Sequence, residues 1–164
     1  MIYGTLSESK TYHADRGNTA WAGADDSALS KALLRGSEFI DNEYRDGFPG
    51  CKVGGRDQVR EWPRNDAYDY ENDIIPFDTV PIEVQRATYE AALRELESPG
   101  SLQPDFVPAT QLKKASVDGA VSVEYVSVVG AASAQPIITI VSGILRPILT
   151  GTGHSSIVGS LARS

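Results

Sequence analysis

Residues 25–44 read DDSALSKALLRGSEFIDNEY, and this stretch carries the longest regular pattern in the chain. Leu29, Ala32, Leu33, Gly36, Ile40 and Tyr44 recur at spacings of three and four, which places them on one face of a helix. Lys31, Arg35, Glu38 and Asp41 fall mostly on the other. Asp25 or Asp26 supplies the acidic side chain that caps such a helix, which then runs to about Tyr44. Gly36 weakens a helix interior by about 1 kcal/mol relative to Ala. Its presence in the apolar stripe predicts a neighbour that approaches closely.

Towards the N-terminus, Ser7 is positioned to cap a helix over about Glu8 to Arg16, ended by Gly17-Asn18. Trp21 follows in a loop as an anchor into the core. Towards the C-terminus, residues 45–80 are irregular. Asp46 to Gly55 is glycine-rich, and Asp57 to Asp78 holds seven acids against Arg60 and Arg64. Pro63 excludes helical geometry at Trp62 and is expected to leave Arg64 projecting. An ordered connection of this length usually has a task.

Pro81 fits the first turn of a further helix, where its missing N–H costs nothing. Ile82, Gln85, Tyr89, Leu93 and Leu96 run along one face of it, with Val84, Ala87 and Ala91 beside them, and Ser98-Pro99-Gly100 ends it. Leu112 to Val117, the turn Asp118-Gly119, and Val121 to Val126 form a hairpin signal. A short helix is expected near Ile137 to Leu149. The fold expected is mainly α: a small helical bundle with a long irregular loop, a β-hairpin and an extended C-terminal arm. The division falls into a helical core over 1–98 and a hairpin with arm over 99–164.

The 164 residues include 22 acids and 15 bases, for a net charge of −7 and a pI near 4.8. Such a chain is a poor non-specific binder of phosphates, which require a basic surface to displace counterions. Charge nearly vanishes from the last third, where only Asp118, Glu124, Arg146 and Arg163 lie beyond residue 115. A Pro-interrupted apolar tail of this kind either folds back onto the first part or is buried on other subunits, and the second is the expectation. The residues assigned to that interface are Trp62, Arg64, Val121, Val123, Tyr125, Ile137, Ile138, Ile140, Ile144, Leu145, Ile148 and Leu149.

Cys51 is the sole cysteine, and the histidines are His13 and His154. An intrachain disulfide is excluded, and no metal site or cofactor is expected. Met1 to Thr5 lacks a basic region followed by an apolar run, and Ile137 to Leu149 is too short to span a bilayer. An intracellular protein without a membrane span is the expectation.

Ser7-Glu8-Ser9-Lys10 has the S-x-x-K spacing without its companion elements, and Gly153-His154-Ser155-Ser156 lacks the second glycine of a nucleophile elbow. Asp69, Glu71 and Asp73 occupy the first three ligand spacings of a calcium loop, but Ile74 and Val80 stand where glycine and glutamate are needed. No glycine-rich phosphate loop occurs. With no catalytic constellation, the chain is not expected to be an enzyme. Single-stranded nucleic acid would use aromatics interleaved with cations. Tyr44, Arg45, Phe48, Trp62 and Arg64 surround Lys52, Arg56 and Arg60, the three candidate contacts, but the acids from Asp66 to Asp73 oppose a phosphate track.

Several segments together resemble a family of tailed-phage proteins encoded near the capsid genes. They are Tyr12-His13-Ala14, Arg16-Gly17-Asn18 with Trp21, Ala32-Leu33-Leu34-Arg35, Phe39-Ile40-Asp41 with Tyr44, and Trp62-Pro63-Arg64. The match continues at Ile75-Pro76, Val80-Pro81 with Val84 and Ala87, Ala92-Leu93, Lys113-Lys114, Val121-Ser122-Val123-Glu124-Tyr125 and Ile144-Leu145-Arg146-Pro147-Ile148-Leu149. Those proteins look like head–tail connectors (adaptors), and many carry the label of a DnaT-like single-stranded-DNA-binding protein. The resemblance covers most of the chain in order, apart from Ala131 to Ile140 and the tail after Leu149. It implies a virion protein docked below the portal protein in a twelve-fold ring. The ring would extend the DNA channel without sequence-specific contact and meet a tail-joining or tail-terminator protein. Subunits would reside in the host cytoplasm before assembly. The alternative is a single-stranded-DNA-binding protein of phage replication; a small hydrolase using Ser7 or Ser155 ranks third.

Overall fold

In the computed structural model, residues 1–103, 115–117, 121–123 and 138–150 are described. Five α-helices are present among them: α1 (Leu6–Ala14), α2 (Thr19–Ala22), α3 (Asp26–Tyr44), α4 (Ile82–Glu97) and α5 (Thr139–Leu145). Six short strands pair antiparallel in twos: β1 (Cys51–Lys52) with β2 (Arg64–Asn65), β3 (Ala67–Tyr68) with β4 (Ile74–Ile75), and β5 (Ala115–Val117) with β6 (Val121–Val123). The mainly-α architecture with a hairpin is as expected.

Asp25 caps α3, accepting from the backbone N–H groups of Ser27 and Ala28 at 2.9 and 3.0 Å. The cap of α1 is Thr5 rather than Ser7. Its hydroxyl accepts from the Glu8 N–H at 3.2 Å and donates to the Glu8 carboxylate at 2.6 Å. Trp21 is fully buried as expected, but on the short helix α2.

Helices α3 and α4 form the central pair and run antiparallel. Leu29, Ala32 and Leu33 pack with Tyr89 and Ala92 in one cluster, where Tyr12 and Trp21 join from α1 and α2. Phe39 and Ile40 meet Val84, Ala87 and Ala91 in the other. A Cβ on Gly36 would sit 2.8 Å from the Thr88 carbonyl oxygen and 3.0 Å from the Ala92 nitrogen. The expected close approach is therefore real, and backbone atoms form it. Gly36→Ala should gain helix propensity yet lower stability by about 1–3 kcal/mol, because a rigid contact must open. A thermal melt at or above the parent's would contradict this contact.

On α4 the buried residues are Val84, Ala87, Thr88, Tyr89, Ala91, Ala92 and Glu95, while Ile82 is exposed and Gln85, Leu93 and Leu96 are half-buried. Tyr89 and the flanking Val84, Ala87 and Ala91 are buried as expected, whereas Ile82, Gln85, Leu93 and Leu96 lie towards the rim, because small residues take the helix–helix contact. A larger correction concerns the C-terminal segment. Helix α5 packs against α4, and Ile138, Val141, Leu145 and Ile148 lie within the same buried cluster as Phe39, Phe48, Trp62 and Val84. The segment 138–150 folds back onto the first part of the chain, contrary to the expected arm. The Tyr44 and Ser142 hydroxyls hydrogen-bond at 2.7 Å, and Thr150 N–H donates to the Gly47 carbonyl at 2.7 Å. These contacts close the segment over the end of α3.

Candidate functional site

The irregular connection between α3 and α4 holds the side chains that the sequence offered to nucleic acid, and it turns most of them inward. Arg60 is 5% exposed. Its Nε and Nη2 both donate to the Met1 carbonyl, at 2.9 and 2.7 Å, and its Nη1 pairs with Asp41 at 3.1 Å. Asp41 also accepts from the Tyr3 hydroxyl and, at 3.3 Å, from the Glu61 N–H. The Tyr3 hydroxyl in turn accepts from the Trp62 N–H at 3.1 Å. Tyr3, Asp41, Arg60 and the backbone at 61–62 therefore form one buried network tying the N-terminus to α3 and the loop.

Burial pushes the Tyr3 hydroxyl up, and the Asp41 carboxylate beside it adds to the rise. Burial also raises the Asp41 carboxyl, opposed by its bonds from Tyr3, Arg60 and Glu61. Asp41 is 5% exposed although the helical spacing puts it on the polar side of α3. Its spacing of four from Ser37, which is also buried and accepts from the Tyr3 N–H, was the available signal.

Arg64 does not project. It is 8% exposed, and its guanidinium donates to the carbonyls of Pro49 and Gly50, at 2.6 and 2.9 Å, and pairs with Glu61 at 2.9 Å. Gly50 adopts φ +64°, and a Cβ there would overlap the Asn65 carbonyl, so only glycine lets the two turns meet. Trp62 is buried edge-on to Phe48 at 5.6 Å. Trp62 and Arg64 are thus interior residues of this chain, because the loop wraps around them to satisfy its own carbonyls. Of the three candidate DNA contacts, Arg56 is exposed on a turn, Lys52 is half-buried and donates to the Gln58 carbonyl, and Arg60 is internal.

The proposed interface residues of the C-terminal third divide similarly. Ile138, Leu145 and Ile148 are core, Ile144 and Leu149 are half-buried against it, and Ile140 is 52% exposed. Val121 and Val123 stand in β6 opposite Val117 and Ala115. Tyr125 and Ile137 lie outside the described residues, as does Ser155.

The exposed apolar surface lies elsewhere. Tyr68, Tyr70, Ile74 and Phe77 are 43%, 71%, 68% and 62% exposed, all within the β3–β4 hairpin and the residues just after it. Ala67 and Ile75 anchor this hairpin to the core, and the Tyr70 N–H donates to the Pro147 carbonyl at 2.8 Å. The Asp69, Glu71 and Asp73 carboxylates lie within 4.8 Å of one another. Asp69 accepts from the backbone N–H groups of Glu71 and Asp73 at 2.9 Å each, so it builds the turn.

His13 was assigned no role from sequence. It is buried against Trp21, its Nδ1 lies 2.9 Å from the Asn18 amide and its Nε2 3.2 Å from the Tyr89 carbonyl. A neutral ring that donates through Nε2 satisfies both partners. Burial lowers its pKa, partly offset by Glu90, with Arg16 acting in the same direction as burial. A depressed histidine adds stability above its unfolded value of about 6.5, and that contribution fades as pH falls below it. His13→Gln should therefore flatten the loss of stability on mild acidification, measured as the difference between the two chains in urea. The difference removes Asp41, whose raised carboxyl works in the opposite sense. Parallel curves would contradict a buried neutral histidine.

The arrangement defines a small helical scaffold with an ordered, acidic and apolar edge. Among the described residues no helix is long and apolar enough to cross a membrane. A family model described as "Putative DnaT-like ssDNA binding protein" matches residues 2–164, and the chain belongs to that family. Comparison with curated proteins and with solved structures gave no match.

Proposed function

We propose that the chain is a non-catalytic structural subunit, a head–tail connector (adaptor) that forms a ring below the portal of a tailed phage. On this reading it extends the DNA channel, joins the portal to a tail-joining protein, and resides in the virion after assembly in the host cytoplasm. One observation carries the choice. Arg60 and Arg64 direct their guanidinium groups to internal carbonyls and carboxylates, while the ordered edge from Asp66 to Thr79 offers solvent acids and apolar side chains and no cation. That surface suits protein contacts, and carboxylates keep passing DNA from sticking.

The family description favours a second reading, binding of single-stranded DNA. It would leave Arg56 and Lys52 as the contacts from the original set. Titrating a fluorescein-labelled oligonucleotide with the full chain at low salt separates the two. The connector reading expects no saturable anisotropy change up to tens of micromolar protein. Tight binding that weakens steeply with salt, and is lost in Arg56→Ala with Lys52→Ala, would establish the second reading instead.

A further inference from the structure

Tyr68, Tyr70, Ile74 and Phe77 stand largely exposed on the β3–β4 edge, although Ala67 and Ile75 fix that edge to the core. Between Asn65 and Gln85 the chain carries six carboxylates and no cation. Four large apolar side chains gathered in one ordered patch mark a surface that something else covers. The surrounding charge selects a cover that is apolar, free of carboxylates and cationic. A phosphate backbone or an anionic lipid surface is repelled.

A segment with that chemistry leaves the fold beside this edge. The Tyr70 N–H donates to the Pro147 carbonyl at 2.8 Å, which joins the hairpin to the chain just after α5. Three residues on, Thr150 is fastened to the Gly47 carbonyl through its N–H at 2.7 Å and its hydroxyl at 3.0 Å. Residues 151–164, which lie outside the described residues, read GTGHSSIVGSLARS. They offer Ile157, Val158 and Leu161, with Arg163 and no acidic side chain. Ile157 lies ten residues beyond Pro147. Extended chain of that length reaches about 33 Å, against ~7 Å for a two-residue strand. A tether of this kind holds the segment beside the edge at roughly millimolar effective concentration. The same segment of a second copy, at micromolar protein, competes poorly with it.

We propose that residues 151–164 fold back over the β3–β4 edge of their own chain. Ile157, Val158 and Leu161 then lie against Tyr70, Ile74 and Phe77, and Arg163 lies among the carboxylates at 66–73. The free subunit thereby keeps its apolar edge covered, and a protein that uses the edge must first displace the segment. The contact stands apart from the connector reading; only the identity of the displacing protein rests on it.

Thiol alkylation of the full chain tests the contact. In a Cys51→Ser background, Ile74→Cys puts a small apolar thiol on the edge, and its rate of reaction with N-ethylmaleimide reports how often the edge is open. Adding Ile157→Ser, Val158→Ser and Leu161→Ser should raise that rate about tenfold. Arg163→Glu should raise it by a smaller factor, even though an added acid disfavours the reactive thiolate. Far-UV circular dichroism should stay unchanged in both, and every rate should be independent of protein concentration. A rate that neither variant raises would overturn the proposal. A parent rate that falls as protein concentration rises would overturn it in favour of a second copy's segment. Neither result bears on whether the chain is found in virions, so the connector reading stands or falls separately.

Discussion

A chain that stops before residue 138 is expected to lose cooperative folding. Ile138, Val141, Leu145 and Ile148 are each at most 6% exposed and sit in the cluster that also holds Phe39, Trp62 and Val84. Burying such side chains contributes about 1.5–3 kcal/mol each, or about 6–12 kcal/mol for the four by the same area rule. A domain's whole stability is about 5–15 kcal/mol. Removing the segment also uncovers the apolar partners it covers. Urea unfolding of residues 1–137, followed by far-UV circular dichroism, should show no sigmoidal transition. The milder Leu145→Ala in the full chain should cost about 2–5 kcal/mol and keep one. A truncated chain that unfolds like the parent would show that α5 is a dispensable arm.

Breaking the buried pair of Arg60 and Asp41 should have the next largest effect. Their side chains are 6% and 7% exposed, and each partner left alone keeps a charge that water cannot reach. Asp41→Ala leaves the guanidinium only the half-exposed Glu38 at 3.9 Å as counter-charge, and Arg60→Ala strands the carboxylate together with the Met1 carbonyl that Arg60 grips twice. Each should cost about 3–5 kcal/mol. Replacing both, as Asp41→Leu with Arg60→Met, should cost less than either alone, because no unpaired charge remains. A double-mutant cycle from urea titrations checks this, and single losses under about 1 kcal/mol would show that solvent reaches the pair.

What could be read in advance was local. The α3 stripe, its Asp25 cap, the tight position at Gly36 and the pairing of β5 with β6 are set by residues within a few positions of one another. The fate of Arg60, Trp62 and Arg64 is not. Their partners are Met1, Tyr3, Asp41, Pro49 and Gly50, brought together by two-residue strands too short to show any period. Charge depletion in the last third correctly signalled burial at Ile138, Leu145 and Ile148. It did not say against what, because an apolar side chain records only that it avoids water. The exposed edge at Tyr68 to Phe77 escaped notice for the converse reason: its apolar residues alternate with acids and look like an ordinary solvated loop.

The most direct test of the connector reading is peptide mass spectrometry of purified virions, quantifying this chain against the portal protein. The account predicts equal copy numbers of the two. Virions without the chain, in cells where it accumulates with replication proteins on single-stranded DNA, would contradict it.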